Sequence, residues 1–313
     1  MTRRPGPAIR PRRVVGVASI LLDRSVDVPG LPPRGGDVIG ADAGAAPGGG
    51  INTLSAARRL GLAAVYAAPH GTGPAGDAVR EALAADGIEA LQPPEKAADT
   101  GYCLALLEPD GERTFVTVPG VEARQSSAQL ARIELTAGDA VYASGYDLAY
   151  PVSGPPLGEW LGALPAAGTH GPWLILDPGP LIGQVNHERL AAVLARTDLL
   201  SASVAELAAL GGRERLLAAL SPVACVIVRD GANGCVLLRP DADDLVVRAV
   251  APPGPVVDTN GAGDVHLGAV LAGLARGDDW IRTLALAARA AAWSLTRRGA
   301  ASGPFPGDLA SPW

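Results

Sequence analysis

At 313 residues, 48% of them hydrophobic, the chain can bury a large core as one large α/β domain or two smaller ones, which excludes a disordered protein. A formal net charge of -6 gives no footing for a nucleic-acid partner. No apolar stretch reaches the roughly 18 to 20 residues of a membrane span. Cys103, Cys225 and Cys235 include no CxxC pair, which points to buried thiols in a reducing compartment, and a cytoplasmic location is expected. His70, His170, His187 and His266 are scattered without HExxH spacing, which argues against a zinc site. Lys96 is the only lysine and lies in a Pro-rich loop. Phosphate cradles that need a lysine, the Walker A loop and the strand lysine of protein kinases, are therefore excluded.

The predicted elements follow in chain order. Residues 1–12 carry most of an arginine cluster among Pro and Gly and read as a flexible tail. Val14 to Leu22 reads as a buried first strand, since Asp23 and Arg24 stand where a secretory cleavage site would need small residues. Thr53 to Leu60 reads as a helix closed by Gly61, Leu62 to Ala67 as a strand, and Asp77 to Asp86 as a helix closed by Gly87. Between them, Gly71 to Gly76 matches GxGxxG, with Glu89 further on as a ribose-binding acid, so a dinucleotide-binding oxidoreductase competes. Against it, the fingerprint does not open the fold, and Pro74 sits where the helix should donate amides. Thr100 to Pro119 reads as a hairpin around Asp110-Gly111, and with Asp23 to Gly40 it breaks the strand and helix rhythm as a small lid sheet. Trp173 to Leu176 and Cys225 to Val228 read as strands, and Ala285 to Thr296 as a late helix. Such alternation predicts an α/β fold with a mainly parallel sheet flanked by helices and carrying a small β lid.

The densest chemistry lies in Asp258-Thr259-Asn260-Gly261-Ala262-Gly263-Asp264. Small residues let backbone amides close on an anion, and the apolar helical pattern from Val265 to Arg276, stopped by Gly277, places them at a helix N-terminus. A carboxylate there repels phosphate, which suits a group that takes a proton from an attacking hydroxyl. The competing reading makes Asp264 a helix N-cap and the glycines a simple turn.

Taken together, the motifs resemble the ribokinase-like, or PfkB, family of ATP-dependent carbohydrate and nucleoside kinases. Asp258 to Asp264 is similar to its DTxGAGD signature, and Pro47-Gly48-Gly49-Gly50-Ile51-Asn52 to its glycine and asparagine motif. Leu31 to Gly35 and Gly111 to Thr114 resemble its lid, Asp177 to Pro180 its central strand end, and Val228 to Gly234 its loop over the nucleotide. The resemblance implies a three-layer ribokinase-like fold over the whole chain. It also implies transfer of the ATP γ-phosphate to a hydroxymethyl group, with Mg2+ and, in many relatives, K+. Asp264 would be the base, and Gly261, Ala262 and Gly263 the anion hole. Asp23, Gly48, Gly49 and Asn52 would hold the acceptor together with Asp264. Ser203, Glu206, Arg229, Gly231, Gly234, Gly261 and Gly263 would face the nucleotide, with Glu206 ordering Mg2+ through water. Asp258 and carbonyls around Asn260, Ser294 and Gly299 would bind K+. A homodimer through the lid follows by analogy.

Three departures bear on the acceptor and metal. Leu21 replaces the asparagine that often precedes the acceptor aspartate, the glycine motif is one residue short, and Ser203 stands where NxxE should begin. Gly50 and Ile51 offer no lysine of the kind found in relatives acting on phosphorylated sugars, so the expected acceptor is an unphosphorylated sugar-like molecule. A nucleoside kinase and a non-catalytic sugar- or nucleotide-binding relative are the alternatives.

Overall fold

The apolar run from Val14 divides into two strands that belong to different sheets. In the computed structural model, which describes residues 9–110, 112–167, 171–240, 242–297, 299 and 303–310, β1 (Arg13–Gly16) lies within a nine-stranded sheet, and β2 (Ile20–Asp27) leaves it for a four-stranded one. Reading Val14 to Leu22 as one strand is thereby corrected. At the break, both carboxylate oxygens of buried Asp147 accept the Ser19 amide at 3.1 Å, an anchor 128 residues away that no local pattern announces. The expected tail also shortens. Residues 1–8 lie outside the described residues, whereas Ile9 is buried and the Arg12 amide donates to the Gly138 carbonyl.

After β2 come β3 (Ala41–Gly49), α1 (Gly50–Arg59), β4 (Ala63–Tyr66), α2 (Pro74–Ala85), β5 (Glu89–Ala90), β6 (Tyr102–Leu107), β7 (Arg113–Val118) and α3 (Ser127–Leu130). The second half contains β8 (Asp139–Ser144), α4 (Gly145–Ala149), α5 (Gly154–Gly162), β9 (Trp173–Asp177), α6 (His187–Arg196), β10 (Leu199–Ser203), α7 (Val204–Ala209) and α8 (Arg213–Ala219). It ends with β11 (Cys225–Arg229), β12 (Cys235–Arg239), β13 (Ala242–Val247), α9 (Ala262–Arg276) and α10 (Trp280–Ser294). The large sheet runs β13-β12-β11-β10-β9-β8-β1-β4-β5; it is parallel from β11 to β5, with β12 and β13 antiparallel at one edge.

Strand alternation explains the three layers. Val14, Tyr142, Ile175, Leu199 and Ile227 pack into the core shared with α1, α9 and α10. Their neighbours Val15, Val141, Leu174, Leu200 and Val226 pack into the other core, with α5 and α6. Both faces are covered, as near-continuous apolar strands require.

The order reverses between β1 and β8, so a crevice opens at the carboxyl ends of these strands. Over it stands the lid sheet, β3-β2-β6-β7, with β2 antiparallel to β3 and parallel to β6, and β6 antiparallel to β7. The hairpin expected over Thr100 to Pro119 is present, with Gly111 outside the described residues. The other lid segment differs from expectation: only Asp23 to Asp27 of the 23–40 stretch is strand, and the return strand is Ala41–Gly49. Two buried carboxylates hold the roots of this lid, Asp147 at Ser19 and Glu122 at the amides of Gly101 (2.8 Å) and Gly120 (2.7 Å).

Candidate active site

The helix behind the Asp258–Asp264 loop begins where a glycine bends the chain. Gly261 caps α9 with φ of +73°, a left-handed conformation that strains residues bearing a Cβ, and Asp264 lies in the first turn. Asp264 makes no capping bond; its Oδ2 instead accepts a hydrogen bond from Asn52 Nδ2 at 3.0 Å. The N-cap reading of Asp264 therefore fails, as does that of Asn52, which lies inside α1 rather than at its start. Thr53 Oγ1 adds a bond to the Asp264 carbonyl at 3.3 Å, so α1 fixes both ends of this residue.

The crevice is a cavity of about 280 Å³ whose wall includes Asp23, Gly49, Asn52, Glu206, Arg229, Asn260, Gly261, Gly263 and Asp264. Motifs more than 200 residues apart thus meet at one point. Ser203 and Glu206 form a capping box on α7, in which the Ser203 amide donates to Glu206 Oε2 at 2.7 Å. Gly231 and Gly234 bound the turn between β11 and β12 and do not line the cavity. The glycine pair divides: Gly49 lines the cavity and Gly48 does not. A Cβ on Gly48 would run into the Asp23 carboxylate, and Gly49, with φ of +70°, turns the lid strand into α1.

Charge in the cavity centres on Arg229, at the carboxyl end of β11. Its guanidinium donates to Asp177 Oδ2 at 3.0 Å and to Glu206 Oε2 at 3.4 Å, and lies against Gly263, where a Cβ would come within 2.8 Å of Nη1. Burial pushes the Asp264 carboxyl up to about 7; the charges of Asp177 and Asp23 add to this, while the Asn52 bond and Arg229 oppose it. Asp23 is pushed up to about 6 by burial and by Asp258, against a hydrogen bond from Asn260. Glu206 is likewise raised by burial and Asp177, against the Ser203 amide and Arg229. His266 is buried within α9, and burial, helped by Arg229, lowers it to about 3, leaving it neutral.

Several wall residues carry no motif: Ser19, Cys103, Phe115, Thr117, Tyr142, Ser144, Tyr146 and Tyr150. Their one sequence signal is position, since they fall within or next to strands that end at the reversal point or in the lid. Among the described residues, two buried polar atoms on the wall have no hydrogen-bond partner, Asn52 Oδ1 and Tyr150 Oη. Such atoms mark places where a ligand hydroxyl or amine would be satisfied.

Metal fit differs between the two expected ions. Among the described residues no three His, Cys, Asp or Glu side chains converge on a metal position. Glu206 and Asp177 nonetheless suit Mg2+, which is commonly held by one or two carboxylates, waters and substrate phosphates. The K+ donors fit poorly. Asp258 already accepts from the amides of Asn260 (2.8 Å) and Gly299 (3.2 Å) and pairs with Arg113 at 2.8 Å. Ser294 is buried in α10, its hydroxyl donating to the Ala291 carbonyl and its own carbonyl accepting the Arg297 amide.

The GxGxxG segment proves to be a filled anion site. Asp99 accepts from the amides of Gly73 (3.1 Å), Ala75 (2.9 Å) and Gly76 (2.9 Å), so an internal carboxylate occupies the N-terminus of α2 that a pyrophosphate would need. A dinucleotide cannot dock there without displacing it.

Known proteins resemble this chain over nearly its whole length. The model of the pfkB family carbohydrate kinases matches residues 12–306. The chain is 35% identical over 306 residues to "Uncharacterized sugar kinase YegV" of Escherichia coli (strain K12), covering 95% of this chain and 92% of that protein. Among solved structures, the ribokinase of Cryptococcus neoformans var. grubii serotype A in complex with ADP superposes with a TM-score of 0.78 at 21% identity, covering 96% of this chain and 98% of that one. The ribokinase of Arabidopsis thaliana complexed with ribose and ATP gives 0.73 at 21% identity, covering 96% and 98%. At these identities the structural matches establish the fold.

Proposed function

Because this chain belongs to the pfkB family of carbohydrate kinases, we propose that it transfers the γ-phosphoryl group of ATP to a hydroxymethyl group of an unphosphorylated sugar-like acceptor. The observation that carries the reading is Asp264, a carboxylate pushed up to about 7 beside the open amides of an α-helix N-terminus. A base of that strength is half ionised near neutral pH, where it can take a proton from an alcohol as the alcohol begins to attack.

The acceptor oxygen forms a bond to the γ-phosphorus, its proton passes to Asp264, and the bond from phosphorus to the bridging oxygen breaks to release ADP. The amides at Gly261, Ala262 and Gly263 stabilise charge on the phosphoryl oxygens as it transfers. Asp23, Asn52 Oδ1 and Tyr150 Oη offer hydrogen bonds to acceptor hydroxyls. Glu206, through water, and Asp177 would hold Mg2+, which when bound neutralises phosphate charge. An unphosphorylated acceptor is favoured by the cations available. Among the described residues lining the two adjoining cavities, Arg229 and Arg113 are the only ones, and each already pairs with carboxylate.

The test is an ADP-release screen with Mg2+ across aldoses, ketoses, cyclitols, nucleosides and sugar phosphates. Acceptor-dependent ADP from an unphosphorylated polyol is expected. The substitution Asp264→Asn should lower kcat by about 10²–10⁴-fold while ADP still binds in calorimetry. An unaffected rate sinks the base assignment, and silence across all acceptors favours a binding protein.

A further inference from the structure

The strongest feature the mechanism leaves unused is a bridge between the lid and the anion-hole loop. Arg113 opens lid strand β7 and stands opposite Leu107 of β6. Its Nη2 pairs with Asp258 Oδ1 at 2.8 Å, and its Nη1 donates to Thr259 Oγ1 at 3.0 Å. Both charged partners are mostly shielded, each side chain being 19% exposed. Asp258 in turn joins two loops. It binds the amides of Asn260 and Gly299, and the Leu295 carbonyl accepts the amides of Val257 and Asp258. Three residues beyond Asp258 the chain makes the left-handed turn at Gly261 that aims the α9 amides.

We propose that Arg113 is a positioning residue for phosphoryl transfer: its guanidinium supplies the positive charge that holds the Asp258–Gly263 loop in its anion-binding shape, in the place of a monovalent cation. Because that charge rides on the lid, docking the lid and ordering the loop are one event. A free K+ could bind Asp258 with the lid open, whereas a lid-borne arginine cannot. The arrangement therefore ties loop order to a closed lid, beneath which Asp23 of β2, two strands away from β7 in the lid sheet, faces the acceptor cavity. Arg113 and Asp23 also line one further cavity of about 250 Å³ beside Asp258 and Gly299, so lid, acceptor and loop are contiguous.

This inference rests on the kinase reading, so its test includes a measurement that needs no turnover. Hydrogen exchange of the amides at 258–263 would be followed with ADP bound, in the wild type, Arg113→Met and Arg113→Lys. Exchange should speed up about tenfold or more in Arg113→Met and much less in Arg113→Lys, which keeps the charge and loses the Thr259 bond. On whichever acceptor the screen identifies, Arg113→Met should lower kcat by about 10- to 100-fold with a smaller change in acceptor KM. Wild-type rates should be equal in KCl and tetramethylammonium chloride, and K+ should partly restore Arg113→Met. Wild-type exchange rates in Arg113→Met, or a wild type that requires K+, would overturn the proposal. So would a loss confined to acceptor KM, which would make Arg113 an acceptor-binding group. If no acceptor is found, the exchange result still decides the role of Arg113 while the kinase reading fails by itself.

Discussion

Opposing influences leave the Asp264 carboxyl near neutrality, the range that its proposed role as base requires. Burial and the charge of Asp177 raise it, whereas Asn52 and Arg229 pull it back. The free-enzyme profile of log kcat/KM should therefore rise with pH and level off at an apparent value of about 7, a property of the whole carboxylate cluster rather than of one group. Arg229→Met removes a cation that favours the ionised form, so its rising limb should move to higher pH. A limb that stays in place, or moves to lower pH, would contradict the electrostatic account. Arg229 was legible as a member of a nucleotide loop, but its pairing with Asp177 and Glu206 was not, because those partners lie 52 and 23 residues away.

At the level of elements, two helix starts show why similar sequences differ in function. The amides at the start of α9 face the cavity, with Asp264 turned toward Asn52 rather than capping them. Those at the start of α2 are closed by Asp99, and although burial works against its ionised form, four backbone N–H groups hold it below the usual carboxylate range. Replacing Asp99 with Ala leaves several half-buried donors unpaired and should cost about 2–3 kcal/mol in chemical denaturation at pH 7. A depressed carboxylate contributes stability above its unfolded value and loses it as pH falls through its folded one, so wild type and Asp99→Ala should converge in acid. Divergence in acid would rule out the cap. The two glycine-rich segments looked alike in sequence, and only Asp99, 23 to 26 residues downstream of the amides it binds, separates them.

For the whole molecule, fully buried Asp147 and half-buried Asp23 and Asp264 shape the response to pH. Asp264 and Asp147 are raised to about 7 and Asp23 to about 6, in each case chiefly by burial, from the ordinary 3.8. Between the unfolded and folded values the native state binds more protons, so stability falls as pH rises, and the penalty is complete above about pH 7. Thermal unfolding should accordingly occur at higher temperature at pH 5 than at pH 8, by an amount on the order of a few kcal/mol in stability. Asp147→Asn should flatten part of this slope, and a wild-type slope of the opposite sign would refute the assignment. From the residues alone follow the alternating α/β plan and, at one loop, the groups proposed for phosphoryl transfer. Seven consecutive residues and the apolar helix behind them specify a glycine turn, orphan amides and a nearby carboxylate, all of which are local properties of a helix start. Tertiary structure alone decided which helix N-terminus stays open, that the run from Val14 feeds two sheets, and that Arg113 reaches Asp258. Those outcomes depend on charges and anchors brought together across tens to more than a hundred residues, and pairing of that kind leaves no periodicity in the chain.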